Sequence, residues 1–96
     1  MFEEYNPLEN RLGKEFFDLL PQTPGIYKMY SVNEQLLYVG KAKNLRHRLF
    51  TYRRVNSTNG SRKVLRLVRM VHKIELEHYE TEERAHLREN ELLRMA

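Results

Sequence analysis

Glu89 stands where a helix would carry an apolar side chain. Between residues 82 and 96, Ala85, Leu92, Leu93 and Ala96 form a stripe at helical spacing, and the position four after Ala85 that completes it is Glu89. Burying a lone carboxylate is costly unless it is protonated, paired with a base or bound to a cation. An ion pair with Arg84, Arg88 or a base on a strand would meet that need, and so would a metal ion. Arg48 poses a similar question. It lies three after Leu45 and four before Tyr52, beside the apolar edge of its own segment, from which an arginine can snorkel to water or reach a bound anion. Tyr27 and Tyr38 fit strands by propensity alone, yet each also offers a phenolic hydroxyl. A carboxylate, a guanidinium and two phenols together form a set that phosphodiester hydrolysis could use.

The charge distribution points to the same substrate class. The net charge is only +4, but residues 41–73 hold eleven Lys or Arg and no acid, whereas residues 1–40 hold six acids against three bases and residues 74–96 seven Glu against three Arg. A solvated helical face normally mixes both signs. An uninterrupted basic stretch reads instead as a surface for a polyanion, with phosphate the natural partner. Lys43, Arg46, Arg53, Arg54, Arg62, Lys63, Arg66 and Arg69 are its candidate phosphate contacts, suited to track a nucleic-acid backbone and not to read bases.

Several other chemistries are disfavoured. No cysteine is present, so disulfides and thiolate zinc sites are excluded. His47, His72, His78 and His86 show no metal-ligand spacing, and His47, between Arg46 and Arg48, suits a phosphate contact better than a catalytic base. Gly40-Lys41-Ala42-Lys43 lacks both the earlier glycine and the following Ser or Thr of a nucleotide-binding P-loop. No apolar run approaches the roughly 18 residues of a membrane span, and the acidic opening is no signal peptide. A cytoplasmic domain without a membrane partner is expected.

The elements that must position these groups can be read from periodicity. Leu12, Phe16, Leu19 and Leu20 predict a leading helix over 10–20, ended by Pro21 and Pro24. GIYKMY and LLYVG predict two strands joined by a turn at VNEQ, the first with Ile26, Lys28 and Tyr30 on one face and Tyr27 and Met29 on the other. Asn44 can cap a basic helix carrying Leu45, Leu49 and Tyr52, to about Arg54. After the polar loop NSTNGS, Ser61 can cap a second helix with Val64, Leu65, Val68 and Val71, stopping near His72. KIELEHY alternates Ile74, Leu76 and His78 against Glu75, Glu77 and Tyr79, the period of a half-buried strand. Thr81 can cap the last helix, with Glu82 and Glu83 favouring its first turn. The expectation is one α+β domain over 1–96, a small three-stranded antiparallel sheet flanked by helices in the order α-β-β-α-α-β-α, with 1–22 a leading segment.

GIY at 25–27, YVG at 38–40, and the longer stretches PGIY, LYVGKAKNLRHRL and ETEERAHLRENELLR together resemble the GIY-YIG nuclease superfamily, and in order and spacing its UvrC-type branch. Val39 departs mildly from the usual isoleucine. The resemblance covers residues 24–94. It implies Tyr27 and Tyr38 as the motif tyrosines, Lys41 as the lysine after them, Arg48 as the helix arginine, Tyr52 as its neighbour and Glu89 as the ligand of one Mg²⁺ or Mn²⁺ ion. It further implies an endonuclease that leaves a 5′-phosphate and a 3′-hydroxyl, acting on DNA in nucleotide excision repair with other repair proteins or with domains beyond residue 96. A tyrosine would orient or deprotonate the attacking water. The superfamily also carries a supporting asparagine farther C-terminal, and no such position occurs by Ala96. A non-catalytic nucleic-acid-binding module and a free-standing nuclease outside excision repair are the alternatives.

Overall fold

A computed structural model of the chain describes residues 6–56 and 58–95. Residues 1–5 of the leading segment, Ser57 of the polar loop and Ala96 of the last apolar stripe lie outside them. Among the described residues the elements run α1 (Leu8–Leu12), α2 (Lys14–Asp18), β1 (Gly25–Tyr30), β2 (Leu36–Ala42), α3 (Leu45–Arg53), α4 (Arg62–Met70), β3 (Lys73–His78) and α5 (Glu82–Met95).

The three strands form one antiparallel sheet with β1 in the centre, in the order β2-β1-β3. Tyr27 faces Gly40 on β2 and Leu76 on β3, and Met29 faces Tyr38 and Ile74. These side chains share one sheet face. Helices α1 to α4 cover it, burying Leu8, Phe17, Leu45, Leu49, Leu65, Val68 and Val71 with them. The opposite face carries Ile26, Val39 and Lys41 and is covered by α5 through Ala85. The register slips between Met29 and Tyr30, where β2 contributes one extra residue, a bulge that re-aims the strand next to Tyr38.

Three polar residues start helices as their chemistry requires. Asn44 accepts from the His47 amide, Ser61 from Val64 and Thr81 from Arg84, each satisfying a first-turn N–H. The single leading helix expected over 10–20 is instead two short helices. Gly13 separates them at φ 91°, a conformation open to glycine and strained for other residues, and the change of direction leaves Leu19 73% exposed while Phe17 and Leu20 are buried. The segment serves as a clamp. Asn6 donates its amide hydrogens to the carbonyls of Tyr52, Arg53 and Val55 at the end of α3. Arg11 donates to the carbonyls of Arg69 and Val71 at the end of α4. Both occupy carbonyls that a helix terminus leaves without partners.

The stripe on α5 is shorter than its spacing predicts. Ala85 is buried and Leu92 half-buried, but Leu93 is 54% exposed and borders an open hollow with Leu36, Leu37, Tyr38 and Val39 of β2. No helix of the described residues is long and apolar enough to cross a membrane.

Candidate active site

Three tyrosines converge on the α3 and α4 side of β1 and β2. The Tyr27 and Tyr52 hydroxyls are 3.0 Å apart, and the Tyr27 ring lies 5.7 Å from that of Tyr52 and 6.0 Å from that of Tyr38. Strand geometry delivers Tyr27 and Tyr38 to one face; α3 delivers Tyr52 from above. Gly40 makes room for them. A Cβ at that position would fall 2.4 Å from the Tyr27 ring and hydroxyl, so only glycine lets the ring lie across β2.

Burial separates the three phenols. Tyr27 is 1% exposed and Tyr52 9%, whereas Tyr38 is 42% exposed. Burial, helped by the hydrogen bond with Tyr52, pushes the Tyr27 phenol well above the usual tyrosine range, and the Arg48 charge opposes this only weakly. Burial also raises Tyr52. Both therefore stay protonated, with Tyr38 left at the open edge of the sheet.

Arg48 is exposed on α3 and acts on both Tyr27 and Tyr52 through its charge. It also lines, with Lys41, Ala42, Lys43, Glu82 and Ala85, a cavity of about 160 Å³ between β2 and α5. Helix α5 runs antiparallel to β2. Its Ala85 borders that cavity, and its Leu93 borders another with Leu36, Leu37, Tyr38 and Val39. Glu89 comes one turn after Ala85 and one before Leu93, hence alongside the stretch of β2 from Tyr38 to Lys41.

The Glu89 side chain is 17% exposed and lies 4.0 Å from His86. Pairing with Arg88, one of the three ion pairs considered, is not what the fold adopts: that guanidinium reaches Glu77 at 2.8 Å and Glu91 at 3.5 Å. Lys41 extends from β2 to His86, 3.0 Å from its Nδ1. His86 is the residue that spacing in the sequence did not single out, although its place three before Glu89 puts both on one helical face. Among the described residues no group of three or more His, Asp or Glu could hold a metal ion. Mg²⁺ and Mn²⁺ tolerate such a sparse protein shell, because water and substrate oxygens complete it, so a half-buried carboxylate at an open edge suits them.

The basic segment divides. Lys63 and Arg66 line a cavity of about 410 Å³ with Tyr38, Tyr52, Leu37, Val64, Leu67 and Met70, which puts α4 beside the tyrosines. Lys43 and Arg54 are exposed near either end of α3, Arg62 is exposed at the start of α4, and Arg69 is half-buried near the end of α4. Arg46 and Arg53 serve α3 itself: Arg46 stacks on Phe50 at 5.5 Å, and Arg53 packs over Phe50 at 4.3 Å and Phe17 at 5.3 Å while pairing with Glu9 at 3.6 Å.

Residues 23–96 match the family model of the UvrC-like GIY-YIG domain. The chain is 43% identical over 72 residues to the UvrABC system protein C of Haemophilus ducreyi, covering 73% of this chain and 11% of that protein. It is 40% identical over 75 residues to its counterpart in Cytophaga hutchinsonii, covering 78% and 12%. The chain thus spans about a tenth of the length of these relatives. Among solved structures it is similar to the GIY-YIG N-terminal endonuclease domain of UvrC from Thermotoga maritima bound to its catalytic divalent cation, magnesium, with a TM-score of 0.71, 27% identity and coverage of 85% of this chain and 86% of that one. A point mutant of the same domain, also with its cation, gives a TM-score of 0.72.

Proposed function

Because the chain belongs to the UvrC-like GIY-YIG family, we propose that it is a divalent-metal-dependent DNA endonuclease domain whose cut is an incision in nucleotide excision repair. The observation that carries this reading is Arg48, whose charge reaches the Tyr27–Tyr52 pair and whose side chain lines, with Lys41 and Ala85, the cavity between β2 and α5.

The residues divide the work by exposure and charge. Glu89 holds one ion, Mg²⁺ or Mn²⁺, which when bound supplies charge to the departing 3′-oxygen and the phosphate. Arg48 clamps the phosphoryl oxygens from the other side, strongest where charge builds in the transition state. Lys41, exposed on the strand next to it, adds a second positive charge. Tyr38 is the phenol that water can reach; it orients the attacking water and, as the phenolate, takes its proton. Tyr27 and Tyr52 hold each other and the floor of the site, protonated. The exposed bases of α3 and α4 hold the DNA backbone, so other repair proteins, or domains beyond residue 96, choose the lesion. Such a nuclease works where bacterial DNA lies, in the cytoplasm.

Glu89→Gln tests the reading directly. Plasmid nicking in Mg²⁺ should disappear, as it should for the unaltered chain in EDTA, while the circular dichroism spectrum and DNA affinity persist. Undiminished nicking by the variant would reject the assignment of Glu89.

A further inference from the structure

His86, Lys41 and Glu89 meet at the open edge of β2. Lys41 Nζ is 3.0 Å from His86 Nδ1, and the same Nδ1 is 4.0 Å from Glu89 Oε1. An ammonium has protons to give and no lone pair, so the contact requires Nδ1 to accept, which sets the neutral tautomer with its proton on Nε2. Nε2 faces the Asn90 side-chain amide, 3.5 Å away. The oxygen of that amide can take the Nε2 proton once the group is turned over.

An imidazole lone pair and a carboxylate oxygen thus lie 4.0 Å apart, with a cationic group 3.0 Å from the imidazole nitrogen. Their spacing on α5 keeps them on one helical face. Nitrogen and oxygen donors bound at roughly 2.1 Å sit about 3 Å apart when adjacent in an octahedron, so the pair must close by about 1 Å. Side-chain rotation supplies that movement, because His86 is half exposed and nothing buried has to give way.

The geometry points to His86 as a second protein ligand, through Nδ1, of the divalent cation that Glu89 holds, with the Lys41 ammonium displaced toward the substrate phosphate when the ion enters. The assignment rests on Glu89 being that ion's carboxylate. It carries a consequence for metal choice. Imidazole is a softer donor than carboxylate or water, so His86 shifts the site from Mg²⁺ toward Mn²⁺ and later transition ions.

Pulsed electron paramagnetic resonance on the chain loaded with Mn²⁺ tests this without any turnover. The bound ion should show ¹⁴N modulation of its spin echo. His86→Leu and His86→Gln should both remove it and weaken Mn²⁺ binding at least about tenfold, with a smaller loss for Mg²⁺ measured by competition. Either variant should keep the wild-type circular dichroism spectrum, since the position is exposed. Mn²⁺ that binds only when Glu89 is intact, yet shows no ¹⁴N modulation or a modulation that survives both substitutions, would overturn the role of His86 and leave the Glu89 site standing. Mn²⁺ binding indifferent to Glu89→Gln would overturn both.

Discussion

A phenol that is to take a proton from water has to be reachable by water, and this separates residues that look alike in sequence. Tyr38 is 42% exposed and Tyr27 is 1% exposed, with its hydroxyl engaged by Tyr52. Tyr38→Phe should therefore lower kcat by about 10²–10⁴-fold with little change in DNA affinity, the range for loss of a proton-transfer group. Tyr27→Phe should act first on stability, by about 1–3 kcal/mol in urea denaturation, because it removes the hydrogen bond between two buried hydroxyls. Equal stability losses in the two variants would contradict the division. For Arg48→Ala, nicking should fall more than binding does, measured by single-turnover kinetics beside a filter-binding isotherm. An equal fall in both would reduce Arg48 to a phosphate contact.

At the scale of elements, the polar residues between helices explain more than the apolar ones. Asn6 binds three carbonyls at the end of α3, the helix that carries Arg48 and Tyr52. Asn6→Ala should cost about 1–2 kcal/mol of stability, comparable to loss of a strong helix cap, and thermal denaturation will show whether the clamp matters. On the other side of the sheet, Glu77 of β3 is held by Arg88 of α5, by Tyr79 and by Lys28 of β1. The Arg88 hydrogen bonds, ahead of those from Tyr79 and Lys28, lower its carboxyl to about 2 from 4.5. A depressed carboxylate stabilises the fold fully above its unfolded value and loses that contribution as protons return. Stability should thus hold above pH 4.5 and decline toward pH 2, and Glu77→Gln should flatten that decline in an acid titration followed by circular dichroism.

The whole molecule presents its bases unevenly. Lys63 and Arg66 stand beside the tyrosines, whereas Arg53 is stacked on Phe17 and Phe50 and tied to Glu9. Each phosphate contact contributes roughly 0.9 to the slope of log affinity against log salt. Replacing Lys63 and Arg66 by glutamine should therefore reduce the slope by roughly two and leave the melting temperature in place. Arg53→Gln should do the reverse, lowering stability more than it changes the slope. A slope unaffected by the first pair would remove α4 from the DNA surface.

Local rules made much of this chain legible. Apolar runs, period-2 alternation and period-3.6 stripes predict all three strands and the three later helices, and Asn44, Ser61 and Thr81 mark helix starts because a short polar side chain must satisfy the first amides. Glu89 and Arg48 could be singled out because a charge on an apolar edge breaks the pattern of its own element. Periodicity puts Leu93 on the apolar stripe and one helix over 10–20, whereas tertiary structure exposes Leu93 and bends the segment at Gly13. Neither the packing of Arg53 on Phe17 nor the meeting of Lys41 with His86 is legible at that level. Contacts like the last join residues 45 or more positions apart, and their energies depend on distance and solvent access, quantities that come into existence only when β2, α3 and α5 are brought together.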